Sequence, residues 1–163
     1  MHDETDAVAV VNDLISTSHD GATGFRAAAG AVVGVEAKRL LLERARRIDQ
    51  ATAELTEIVR RMGGEPSSHG HPTASLHRAW IALRAAFDGH NDDAILREVE
   101  RGESEAIAHY RSALDHQLSG DVRMVLEMQS RGAEMNLTRV QALRRVRTPP
   151  DGAPRVADEL PPL

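Results

Sequence analysis

The chain has 163 residues, 41% of them hydrophobic and 28% charged, a length and balance that fit one folded domain and exclude the low-hydrophobicity signature of disorder. Aromatic residues make up 2% and cysteine is absent, so the interior must be built from Ala, Leu, Val, Ile and Met, while disulfides, zinc-thiolate sites and thiol nucleophiles are excluded. A formal charge of −5 argues against a general nucleic-acid binder. No run reaches the ~18 apolar residues of a membrane span, and the acidic start MHDETDAVAVV has the wrong charge for a signal peptide, so a cytoplasmic protein is expected.

From about Asp6 to Val33, Val11, Leu14, Ser18, Ala22, Phe25, Ala29 and Val32 recur at spacings of three and four, the stripe of an amphipathic helix. Gly21 and Gly24 weaken its middle and predict a bend near Asp20. Gly34 stops it. A second helix follows from Val35 to Met62 on Leu41, Ile48, Leu55, Val59 and Met62, and Gly63 and Gly64 end it. The stretch GGEPSSHGHP is a loop by its Gly, Pro and Ser content. Thr73 can cap a short helix, TASLHRAWIALRAAF, that packs through Leu76 and Trp80 and ends at Gly89.

A third helix is predicted from about Asp92 to His116 on Ile95, Val99, Ala106, Tyr110 and Leu114, with Asn91, Asp92 and Asp93 at its start. A fourth runs from Asp121 to Arg147 on Val122, Val125, Val140 and Leu143. Short turns make two antiparallel hairpins, and residues 63–91 are long enough to cross the length of the bundle. The expected fold is all-α: an antiparallel four-helix bundle over residues 1–147, with a long crossover between helices two and three that contains a short extra helix. Residues 148–163, TPPDGAPRVADELPPL, are too rich in proline to be helical and form the expected flexible tail.

Two acidic residues stand out on the third helix. Glu103 lies four after Val99 on the apolar stripe, and Glu100 sits one turn away at its edge. A buried carboxylate is costly unless it is paired, hydrogen-bonded, metal-bound or protonated. Arg44 on the second helix and Gln129 on the fourth fall on inward stripes at similar depth, so a mid-bundle cluster of Arg44, Glu103 and Gln129 is expected to fix helix register. Gly102 and Gly132, near the middle of their helices, predict close backbone approach or room for a ligand.

The blocks NDLISTSHDGATGFRAAA, LLLERA, GGEP, LHRAW and REVERGESEA, with Tyr110 after them, together resemble a bacterial family of ferritin-like four-helix-bundle proteins of unknown function. The resemblance covers nearly all of the chain before Thr148. It implies a ferritin-like bundle with the LHRAW segment in the crossover, and no established activity.

Di-metal bundles of this shape take a Glu from each of two helices and a Glu-x-x-His from each of the other two. No Glu-x-x-His occurs in this chain; Glu105 and His109, one turn apart, read as a surface contact. A metal centre holding iron or manganese would therefore rest on Glu100 and Glu103, with Glu43, Glu127 or Glu134 as helpers off the best stripes. Among the histidines, His69 and His71 lie in a loop without companion ligands and read as solvated, while His77 belongs to the short crossover helix. The basic run Lys38, Arg39, Arg44, Arg46 and Arg47 is interleaved with Glu36, Glu43 and Asp49 as a salt-bridged face. Arg139, Arg144, Arg145 and Arg147 complement the carbonyl end of the fourth helix. Phosphate loops, nucleophile elbows and nucleotide fingerprints are missing from the sequence.

Two functions follow as expectations. The first is a non-catalytic, stress-associated structural or interaction protein that self-associates into a homo-oligomer, with no nucleic acid or membrane partner and no identified small-molecule ligand. The second is a di-iron-type oxidase or ferroxidase with a degenerate carboxylate site.

Overall fold

The computed structural model describes residues 2–70, 85 and 91–147, and within them the chain forms four helices: α1 (His2–Ala31), α2 (Val35–Arg61), α3 (Asp92–Leu114) and α4 (Gly120–Arg147). The expected bounds hold to within a few residues, and α1 runs as one unbroken helix through Gly21 and Gly24. The pairs α1/α2 and α3/α4 are antiparallel hairpins; α1 also packs on α3, while α4 packs chiefly on α3 and touches α2 more lightly. The architecture is a four-helix bundle with one long crossover. Among the described residues, no helix is long and apolar enough to cross a membrane.

Local chemistry fixes each boundary. Gly63 adopts φ +74°, a left-handed conformation that only glycine takes without strain, and its N–H donates to Arg60 O at 2.9 Å while the Gly64 N–H donates to Val59 O at 2.9 Å. The last carbonyls of α2 are satisfied in this way as the chain reverses. Asn91 is the N-cap of α3; its Oδ1 accepts from the Asp93 N–H at 3.0 Å and the Ala94 N–H at 3.4 Å.

The crossover is stitched to α1 at its start and to the α1/α2 turn at its far end. At its start, Asn12 Nδ2 donates to Glu65 O (2.9 Å), the Ser67 N–H donates to Asn12 Oδ1 (2.7 Å), and the Ser16 and Ser67 hydroxyls lie 2.8 Å apart. At its far end, the two carboxylate oxygens of Asp92 accept from the Val33 and Gly34 N–H groups at 2.8 and 2.9 Å. The chain therefore leaves α2, lies first against the first half of α1, and rejoins the bundle at the α1/α2 turn. Apart from Ala85, the expected short helix over residues 73–87, with Leu76, His77 and Trp80, lies outside the described residues, as does the expected tail 148–163.

The core divides into two apolar halves. Toward the α1/α2 turn, Phe25, Ala28, Val32, Leu41, Ile48, Ile95, Leu96 and Val140 pack together. Toward the other end, Val11, Leu14, Ile15, Leu55, Ile58, Val59, Val122 and Leu126 do the same. Aliphatic burial of ~1.5–3 kcal/mol per large side chain supplies the main driving force in both halves. Between them the interior changes character: Ser18, Arg44, Glu103, Gln129, Ser130 and Asn136 all turn inward.

Candidate functional site

Glu103 is the centre of this polar layer. It stands on the apolar stripe of α3 and is 1% exposed, the most deeply buried charged residue among those described. Arg44 of α2, 9% exposed, reaches it, with Nε 2.7 Å from Glu103 Oε1. The attraction is one of charge more than of hydrogen bonding, because the Nε–H is not aimed at the oxygen and neither atom gains an aligned partner. The Asn136 side chain of α4 also lies at the carboxylate and favours its charged form. Burial outweighs all of this help: the Glu103 carboxyl is pushed above its ordinary value of 4.5 despite the opposing pull of Arg44.

A second group forms the other side of the layer. The Tyr110 hydroxyl of α3 donates to Gln129 Oε1 at 3.1 Å, and Gln129 Nε2 donates to Glu54 Oε2 (2.9 Å) and Ala51 O (3.3 Å) on α2. Burial raises the Tyr110 phenol, with a hydrogen bond from Ser18 of α1 working against the shift. All four helices thus contribute to the layer. The expected grouping of Arg44, Glu103 and Gln129 is resolved into two neighbouring parts: Arg44 meets Glu103, while Gln129 joins Tyr110 and Glu54. Asn136, the third member at Glu103, was not predicted, although its spacing, seven after Gln129 and four before Val140, puts it on the inward stripe of α4.

Glu100 points elsewhere. Its Oε1 accepts from Arg144 Nη1 of α4 at 2.8 Å, and Arg144 Nε reaches Asp93 Oδ1 at 2.9 Å. Arg144 therefore bridges α3 and α4 in addition to standing near the carbonyl end of α4. Its hydrogen bond is the largest influence on Asp93, whose carboxyl is held below the usual carboxylate range. Each of the two inward carboxylates has its own arginine, and among the described residues no three His, Cys, Asp or Glu side chains gather as a metal-binding group. The helpers are dispersed as well: Glu43 pairs with Arg47 (2.9 Å) and Arg139 (3.5 Å), and Glu134 with Arg111 (3.4 Å).

The remaining expectations divide. The α2 basic run makes surface pairs, Arg47 with Glu43 and Arg26 of α1 with Asp49, as its alternating charges predict. Glu105 and His109 do not meet: Glu105 pairs with Arg101 (2.6 Å), and His109 Nδ1 lies 3.4 Å from Asp13 Oδ2 on α1. His69 contacts its neighbour Ser68 at 2.6 Å, and His71 lies outside the described residues. The close approach expected at Gly102 and Gly132 is absent, since a Cβ on either would meet nothing within 4 Å among the described residues. Gly102 is exposed, so neither packing nor a buried ligand explains it.

Four antiparallel helices with a long crossover and a polar layer at mid-height define a ferritin-like bundle, and comparison with solved structures gives the same class. A mutant of Dps1 from Mycobacterium smegmatis is similar with a TM-score of 0.71 and 14% identity, over 88% of this chain and 97% of that one. A two-domain protein from Anabaena variabilis, containing DJ-1/ThiJ/PfpI-like and ferritin-like domains, is similar with a TM-score of 0.72 and 15% identity over 94% of this chain; the match spans 42% of the Anabaena protein. The sequence matches none of the curated proteins. Residues 6–116 match the domain of unknown function DUF2383, and the chain belongs to that family.

Proposed function

We propose that this chain is a ferritin-like scaffold that acts by binding a partner, without catalysis, and that its interior is held in register by the Arg44 and Glu103 charges. The observation that carries this reading is the guanidinium 2.7 Å from the most deeply buried carboxylate. A cation at that oxygen would have to displace Arg44 or share its place against like-charge repulsion. Glu100, engaged by Arg144, would have to break a second pair before it could join the same ion. The cytoplasmic setting expected from the sequence and the net charge of −5 agree with a protein partner more than with nucleic acid.

Metal content measured by mass spectrometry on protein purified without chelator tests this directly. Iron and manganese far below one per chain, with ferrous oxidation no faster than buffer, are expected. Stoichiometric metal that disappears in Glu100→Gln/Glu103→Gln would overturn the reading.

The second reading is a metal centre using Glu100 and Glu103 with iron or manganese, supporting an oxidase or ferroxidase. Glu103 Oε1 lacks an aligned hydrogen bond, and this unsatisfied acceptor favours the alternative. Arg44→Ala separates the two readings: it would free Glu103 for a cation under the second and only destabilise the bundle under the first.

A further inference from the structure

Three of the five methionines in the chain lie on α4 and face outward: Met124, Met128 and Met135 are 63%, 53% and 65% exposed. Their spacings of four and seven put them on one stripe of the helix, and Ala142 and Val146 extend it. Opposite this stripe, Leu126, Ala133 and Val140 fill the core, so α4 carries apolar side chains on its outer as well as its inner face. The described part of the crossover runs along α1 and does not cover the methionines. Arg131 falls on the same stripe, between Met128 and Met135, and Glu127 stands beside it one turn away; both are exposed, and neither makes an ion pair among the described residues.

We propose that the methionine stripe of α4 docks on the same stripe of a second copy of this chain, in an antiparallel two-fold pair. Antiparallel docking with the axis beside Gln129 and Ser130 sets Met124 of each copy against Met135 of the other and Met128 of each against Arg131 of the other, the two Met128 side chains flanking the axis. On the same flank, Glu127 of each copy then comes within reach of Arg131 of the other, so the two unpaired charges satisfy one another twice. Flexible thioether side chains suit a contact that must form from two exposed surfaces. The overlap covers about 20 residues, ~30 Å of helix, a small interface that fits a weak, reversible contact. The dimer names the partner in the scaffold reading and rests on it, yet the two fail separately: metal content decides that reading, and association state decides this one.

Analytical ultracentrifugation of the full chain across a concentration series tests the dimer. A reversible monomer–dimer equilibrium is expected. Met128→Glu, Glu127→Arg and Arg131→Glu should each raise the dissociation constant at least ~10-fold, and the double exchange Glu127→Arg/Arg131→Glu should restore it, with circular dichroism unchanged throughout. Because the chain has no cysteine, Met128→Cys supplies a second readout: oxidation should link two copies, whereas Val33→Cys, exposed in the α1/α2 turn, should not link. A full chain that stays monomeric at every concentration means that something else covers the stripe, such as residues 148–163 or a different protein, and overturns the proposal. A dimer indifferent to the Met128, Glu127 and Arg131 changes also overturns it.

Discussion

Arg44→Met replaces a buried guanidinium with an unbranched apolar side chain and leaves Glu103, 1% exposed, without its cation. Removing one partner of a buried pair costs ~3–5 kcal/mol, because the remaining charge keeps its desolvation penalty and loses its compensation. At ~2–4 °C per kcal/mol for a chain of this size, the melting temperature should fall by about 6–20 °C at pH 8. The defect should shrink in acid. The Glu103 carboxyl is already raised above 4.5, so the folded state takes up its proton before the unfolded state does, and its contribution to stability falls as pH rises from about 4.5 through the folded value. Without Arg44 the folded value moves higher still, which widens that window and makes the variant worse at pH 8 than at pH 5. Arg44→Met/Glu103→Met removes both charges and should recover most of the loss, since an apolar replacement of a buried pair is often neutral or stabilising. Thermal melts at the two pH values are sufficient as the assay. An Arg44→Met defect of equal size at pH 5 and pH 8, or a double variant as unstable as the sum of the singles, would refute the reasoning.

Other perturbations have smaller expected effects. Arg144→Met should cost about 1 kcal/mol by chemical denaturation, since its contacts to Asp93 and Glu100 are partly solvated. The depressed Asp93 carboxyl makes that contribution present above its unfolded value near 3.8 and lost as pH falls through the folded value, so wild type and variant should converge in strong acid. Asn91→Ala removes the cap of α3 and should cost ~1 kcal/mol, with faster amide exchange at Asp93 and Ala94. Gly102→Ala should stabilise by ~0.5–1 kcal/mol in a urea melt, because the site is helical, exposed and open to a Cβ; destabilisation there would reveal a contact at that position.

Much of the fold could be read from the sequence because the core is aliphatic and the helices α2 and α3 are sharply two-faced. Leu41, Ile48, Leu55, Ile95 and Val99 mark their buried sides without ambiguity, and the same register turns Arg44 and Glu103 inward. Helix α4 was harder. Its buried side includes Leu126 and Ala133 and its exposed side Met124, Met128 and Met135, so hydrophobicity alone cannot say which face is covered. The partners of Gln129 were missed for a related reason: periodicity gives the depth of a side chain, whereas the choice between Glu103 and the Tyr110 hydroxyl depends on how adjacent helices are rotated. Glu100 shows the same limit, since an edge position is compatible with either a metal or the Arg144 guanidinium that holds it.

The two sets of hydrogen bonds that join the crossover to α1 and to the α1/α2 turn have a further consequence for how the helices keep their register. With Ser67 anchored at Asn12 and Asp92 anchored at Gly34, the termini of the intervening chain are set by the bundle and not by that chain's own length. Closing a longer connection between fixed points costs only ~0.6 kcal/mol for each doubling of its length. The register of the four helices is therefore held by contacts at the two ends of the connection, at Asn12 and at Gly34, and does not depend on the connection's length.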